Sequence, residues 1–325
     1  MVKKFGNTLF LVASPFQCLC MLEAINYFEI DTYEVLVTFS DDYNLEKIDT
    51  LLRKNNIPYI KKNTGHILYG VLPFLFIKHN NFHNLFVGDF YSENNLSIAY
   101  ILAKFRANIY FLDDGIQALS FFSSQRIVKK IKWKVKLVLF IYRLFSIVKF
   151  VKRPIFFTIY NVTSSRFKII HNPLALLKIQ MPQEPRGLYI IGTNSSVLEF
   201  KDYTYEEYLR ALFKTLKKRF PEDEVFYCPH RRDSNLPFIY TLCRELSIEI
   251  YDTKISVEFD FVNDKINPKY VVGFSSNALY TLNLIYPKSI IENVDFSLKF
   301  EPSNKENQII QKRLFENGIV PIRVN

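Results

Sequence analysis

At 325 residues, 49% of them hydrophobic, the chain is longer than a usual single domain and has apolar surface for two packed cores. Its formal charge of +10 is matched by ten cations between Arg126 and Arg153, a stretch without Asp or Glu; basic charge confined to one apolar segment speaks against a nucleic-acid protein, which spreads it over a folded face, and for an acidic membrane surface. Nine glycines form no G-x-G-x-x-G, P-loop or G-x-S-x-G motif, H-E-x-x-H is missing, and Cys18, Cys20, Cys228 and Cys243 sit in apolar runs without metal-ligand spacing, which argues against dinucleotide folds, hydrolase elbows and zinc sites and for reduced core thiols.

The opening MVKKFGNTLFLVAS has the lysine pair and short apolar run of a signal peptide. Ser14-Pro15-Phe16-Gln17 then supplies an N-cap with proline at the first helical position, so the stretch reads as strand, tight turn and a helix to about Phe28. This is the first βα unit of a Rossmann-like domain, with the turn expected to face a ligand cleft. Strands are predicted at Tyr33 to Phe39, Pro58 to Lys61, Asn84 to Val87 and Asn108 to Leu112. Helices are predicted between them, at Tyr43 to Asn55, Ile67 to His79 and Glu93 to Phe105, and such alternation implies a parallel, doubly wound sheet.

From Arg126 to Arg153 apolar residues satisfy both strand and helix periods, and length favours a helix. Its apolar part, Leu137 to Val151, is interrupted by Arg143 and Lys149 and is too short and charged to span a bilayer. We read an interfacial segment, with a core helix and snorkelling lysines as the alternative. Pro154 ends it and Ile155 to Val162 reads as a strand. The tract Met181-Pro182-Gln183-Glu184-Pro185-Arg186 has linker composition, giving predicted domains 1–180 and 187–325. The second half repeats the alternation: strands at Leu188 to Ile191, Val225 to Cys228, Ile248 to Tyr251, Tyr270 to Phe274 and Lys288 to Ile291, with helices at Tyr205 to Phe220, Leu236 to Leu246, Val257 to Asn263 and Asn277 to Ile285.

Three strand ends carry polar groups. Asp113-Asp114-Gly115 puts carboxylates and a turn glycine after one strand, where a general base can stand. Pro229-His230-Arg231-Arg232 puts an imidazole and two guanidiniums after a buried strand, suited to an anion. Ser275-Ser276 opens a helix whose free N–H groups also suit an anion, although capping alone accounts for serine there.

This order, acidic-acidic-Gly, then a histidine turn, then a serine pair, resembles the bacterial sialyltransferases of glycosyltransferase family 52 and the related capsule polysialyltransferases. The stretches LFLVASPFQCL and Ser256-Val257-Glu258-Phe259 are similar too, and the resemblance spans about residues 8 to 290. One departure is that proline precedes His230 where the family has His-Pro. The resemblance implies a GT-B fold, two Rossmann-like domains with parallel sheets facing a central cleft, that transfers sialic acid from CMP-sialic acid with inversion to a glycan acceptor. It implies Asp114 as the acceptor's base, supported by Asp113 and Gly115. His230 would bond the leaving CMP phosphate, Ser275 and Ser276 would hold it with Arg231 and Ser14 nearby, and Glu258 would meet ribose or cytosine. No metal or other cofactor is implied, since D-x-D is missing. The expected setting is cytoplasmic, peripheral on the inner face of the plasma membrane, with a homodimer left open. Alternatives are a polysialyltransferase, another nucleotide-sugar transferase of this fold, and a non-catalytic protein that binds polyanions or lipid on the same scaffold.

Overall fold

The computed structural model describes residues 5–39, 42–63, 82–89, 95, 107–114, 154–165, 167–178, 184–193, 204–230, 233, 235–274, 276–294, 312, 314–316 and 318–322. They form two compact units, Met1–Leu176 and Leu177–Asn325. The predicted helix Ile67 to His79, all but Asn95 of the predicted helix Glu93 to Phe105, and the basic segment Arg126 to Arg153 lie outside the described residues.

In the first unit, strands β1 (Thr8–Val12), β2 (Tyr33–Phe39), β3 (Ile60–Asn63), β4 (Asn84–Val87), β5 (Asn108–Leu112), β6 (Ile155–Thr158) and β7 (Lys168–His171) make a parallel sheet in the order β3-β2-β1-β4-β5-β6-β7. Its middle is pinned by an aromatic row. Phe10 of β1 lies opposite Phe86 of β4, which lies opposite Tyr110 of β5, and the rings stack at 4.8 Å and 4.4 Å. Such cross-strand pairs fix register, because a one-residue slip would turn every side chain to the other face. Helix α1 (Pro15–Tyr27) is capped by Ser14, whose Oγ accepts from Gln17 N at 3.2 Å, and it carries proline in its first turn. It buries Cys18, Leu19, Cys20, Met21 and Ala24, so it packs as a core helix. Helix α2 (Asp42–Lys54) starts on Asp42 and ends on Arg53 and Lys54, the charges its dipole favours.

Strand β6 stops at Thr158, four residues short of the sequence expectation, because the next N–H, of Ile159, donates to the Asp113 carboxylate at 2.7 Å and leaves the ladder. Strand β7 was not expected: only Ile169 and Ile170 are apolar, and the strand sits at the sheet's edge, half-exposed. Helix α3 (Ala175–Lys178) follows.

The second unit holds β8 (Arg186–Ile191), β9 (Val225–Cys228), β10 (Glu249–Ile250), β11 (Pro268–Gly273), β12 (Ile290–Val294) and β13 (Val320–Ile322), parallel in the order β10-β9-β8-β11-β12-β13. Between them run α4 (Tyr205–Arg219), α5 (Leu236–Glu245), α6 (Val257–Asn263) and α7 (Asn277–Ile285). Helix α4 opens with a reciprocal cap between Thr204 and Glu207 and buries Leu209, Leu212, Phe213 and Leu216 along one stripe. Its last residue, Arg219, clasps Glu292 of β12 through two bonds of 2.7 and 2.8 Å. β13 was hidden from sequence because Pro321 interrupts it, which an edge strand tolerates.

Both sheets run outward in two directions from one place, between β1 and β4 in the first unit and between β8 and β11 in the second. At such switch points the connections leave a crevice beyond the carboxyl ends of the strands, where ligands of doubly wound folds bind.

Candidate active-site residues in each unit

At the carboxyl ends of the first sheet, β5 runs on into Asp113 and Asp114, and the two carboxyl groups are held differently. Asp113 is buried. Its Oδ1 accepts from Thr158 Oγ1 at 2.6 Å and its Oδ2 from Ile159 N at 2.7 Å, so it ties β5 to the end of β6. Burial pushes its carboxyl up to about 7 against those two hydrogen bonds. Asp114 turns the other way, toward α1: Gln17 Nε2 donates to its Oδ1 at 2.5 Å. Burial raises its carboxyl to about 6, the Gln17 amide opposes that rise, and the Asp89 carboxylate beyond β4 adds to it. That value suits a base working near neutral pH. Gly88, between β4 and Asp89, has no side chain for a reason of space, since a Cβ there would come within 2.4 Å of Gln17 Oε1.

In the second unit, β9 and β11 flank β8. His230 follows β9 by two residues and Ser276 follows β11 by three, so the sheet puts both at its carboxyl edge, to either side of β8. The turn after β9 is built around Asp233, which is 5% exposed. Its N–H donates to His230 O at 3.0 Å, its Oδ1 accepts from Asn235 N at 3.0 Å, and its Oδ2 accepts from Tyr205 Oη of α4 at 2.9 Å. Gly192, just past β8, lets this turn come close: a Cβ would sit 2.9 Å from His230 N and 2.5 Å from Tyr227 Oη. Ser276 caps α7, its Oγ accepting from Ala278 N at 3.2 Å. Glu258 lies in the first turn of α6, behind the Ser256 cap, and burial raises its carboxyl.

Of the sequence-predicted residues, the structure thus brings Ser14, Asp113 and Asp114 to one sheet edge in the first unit, with Ser14 engaged in capping α1 beside Gln17. It puts His230, Glu258 and Ser276 in the second unit. Gly115, Arg231 and Ser275 lie outside the described residues. Sequence reading missed Gln17, Thr158, Asp89, Tyr205 and Asp233 as supporting groups. Gln17 alone had a signal, its place in the turn after the first strand. The four cysteines are buried and free of disulfides. Among the described residues no cluster of three His, Cys, Asp or Glu is placed to hold a metal ion, and no helix is long and apolar enough to cross a membrane.

Solved structures share this fold. Over 98% of its length the chain is similar to the GT-B domain of a sialyltransferase from Photobacterium damselae, covering 100% of that domain with a TM-score of 0.54 and 13% identity. Over 97% it is similar to a 2,6-sialyltransferase of another Photobacterium solved with CMP and lactose, covering 78% of that chain with a TM-score of 0.53 and 12% identity. A UDP-GlcNAc 2-epimerase from Methanocaldococcus jannaschii, solved with UDP-GlcNAc and UDP, matches over 98% of this chain and 90% of its own at a TM-score of 0.50 and 9% identity. No protein-family model and no curated protein matches the sequence. The likeness establishes the GT-B fold that the sequence led us to expect.

Proposed function

We propose that the protein is an inverting sialyltransferase that moves sialic acid from CMP-sialic acid to a terminal sugar, galactose by preference, of a bacterial lipooligosaccharide or capsule glycan. The observation that carries this reading is the Asp114 carboxyl, tied to Gln17 at a strand end and pushed up to about 6, a group fit to take a hydroxyl proton. The solved relatives support the choice of donor and acceptor, since one of them holds CMP and lactose.

In the proposed reaction Asp114 accepts the proton of the acceptor hydroxyl as that oxygen bonds to the anomeric carbon of sialic acid. The bond from that carbon to the CMP phosphate oxygen breaks on the opposite face, which inverts the centre. The charge gathering on the phosphate is met by His230, by Ser275 and Ser276, and by the N–H groups that open α7, with Arg231 as a further cation and Glu258 on the nucleoside. Ser14 holds the first turn of α1 beside the base. The leaving group is a phosphate monoester anion, so imidazolium and backbone dipoles suffice and no metal is assigned.

The likeness to a UDP-GlcNAc 2-epimerase favours a second reading, another nucleotide-sugar enzyme of the same fold. Labelled CMP-sialic acid and labelled UDP-sugars, offered side by side with lactose and a panel of galactosides, separate the two. Sialylated galactoside is the expected product, formed equally in EDTA. Turnover of a UDP-sugar alone would replace the donor in this reading, and a strict need for Mg²⁺ or Mn²⁺ would turn Asp113 and Asp114 into a metal site. A long sialic acid chain on the acceptor would make it a polysialyltransferase, and no turnover at all would leave the polyanion-binding reading.

A further inference from the structure

Gln17 is 1% exposed, in the first turn of a helix otherwise packed with apolar side chains, and burying an amide is costly unless each of its atoms is paired. Its pairing is determined by what surrounds it. Oε1 accepts from Ala13 N at 2.7 Å, and because a backbone N–H can only donate, the amide oxygen must face Ala13. The NH₂ is thereby aimed at Asp114, whose Oδ1 it meets at 2.5 Å. The backbone N–H of Gln17 is taken by Ser14 Oγ, so main chain and side chain are both fixed. From the third side Gly88 leaves the space the amide fills.

The charged groups facing Asp114 are the carboxylates of Asp89, at the end of β4, and of Asp113, beside it in the chain. Both oppose its ionisation, as does burial; among the described residues Gln17 is the group that favours the carboxylate. We infer that Gln17 is the positioning residue of Asp114: it fixes one carboxylate oxygen, keeps the group ionised at working pH, and leaves the other oxygen to take the acceptor's proton. The inference rests on the role proposed for Asp114 and adds the residue that makes this role workable.

Gln17→Met keeps the length of the side chain and removes the amide. CMP affinity should stay as it is, kcat should fall, and the acid limb of kcat/KM should move up by about one pH unit, the tenfold effect expected when a carboxylate loses one hydrogen bond. Gly88→Ala supplies an independent variant, because it displaces the amide while Gln17 stays in the chain, and it should move the limb the same way. Carbon-13 NMR titration of the Asp114 carboxyl, assigned with Asp114→Asn, reads the same change without any substrate. Titration and pH profile unmoved in both variants would overturn the inference. A wild-type protein that transfers no sialic acid would sink the proposed reaction, while the NMR titration would still decide whether Gln17 governs Asp114.

Discussion

The two carboxyl groups that end β5 take opposite roles because their partners differ. Asp113 spends both oxygens on Thr158 and Ile159, so it holds strand ends together, whereas Asp114 accepts from Gln17 through one oxygen. Since only the ionised carboxylate can take a proton, kcat/KM should rise with pH through about 6 and level off above it. Asp114→Ala should leave CMP affinity within a few-fold and cut transfer by roughly 10² or more, the usual worth of a general base. His230→Ala should do otherwise, weakening CMP by about tenfold to a hundredfold, as expected when a charge-assisted phosphate contact of about 1.5 to 3 kcal/mol is lost, and slowing transfer as well. Calorimetry with CMP beside a transfer assay decides; if Asp114→Ala loses CMP and His230→Ala binds it normally, the nucleotide belongs to the first unit. Asp113, Asp114 and His230 were legible because each follows an apolar run at a turn. Gln17 was not legible as a partner of Asp114, since 97 positions separate the two and only the sheet order brings α1 over the end of β5.

Strands announced themselves where the sheet buries both faces, as at β4, β5 and β9, because a short apolar run with turn residues on each side admits few other readings. They were hidden where chemistry or the edge intervenes: β6 is cut short by Asp113, β7 is half polar, and β13 contains a proline. The turn after β9 belongs to the same class, because its strength lies in a contact from α4. Tyr205→Phe removes the phenol that donates to buried Asp233, leaving that carboxylate oxygen short of a donor. Urea unfolding should show the second unit destabilised by about 1.5 to 3 kcal/mol, the worth of a hydrogen bond to a charged group. CMP should bind a few-fold more weakly, although position 205 is assigned no contact with it. Full stability and full CMP affinity in this variant would mean that the turn holds His230 without Tyr205.

At the scale of the whole chain, charge is distributed as unevenly as chemistry. Of 42 basic side chains, ten lie between Arg126 and Arg153, and the remaining 32 balance the 32 acidic ones, so attraction to an anionic surface must come from that one segment. It lies outside the described residues, and the prediction therefore rests on its sequence, cations interleaved with apolar residues over a stretch too charged to span a bilayer. An enzyme that modifies a membrane-borne glycan gains from residence on the cytoplasmic face of the membrane that carries it. If each cation near anionic lipid is worth about 1 kcal/mol, liposome binding should require acidic lipid and should weaken as salt shortens the screening length. Replacing Lys129, Lys130, Lys132, Lys134 and Lys136 by Gln removes about 5 kcal/mol of that attraction, enough to release the protein from acidic vesicles. Turnover of a soluble galactoside should stay nearly intact, because no group assigned to the reaction lies in the segment. Sedimentation with vesicles of graded acidic content, run beside the transfer assay, measures both. Binding that persists unchanged in the five-fold variant, or that ignores salt in the parent, would move the segment from the membrane surface to the protein's own core.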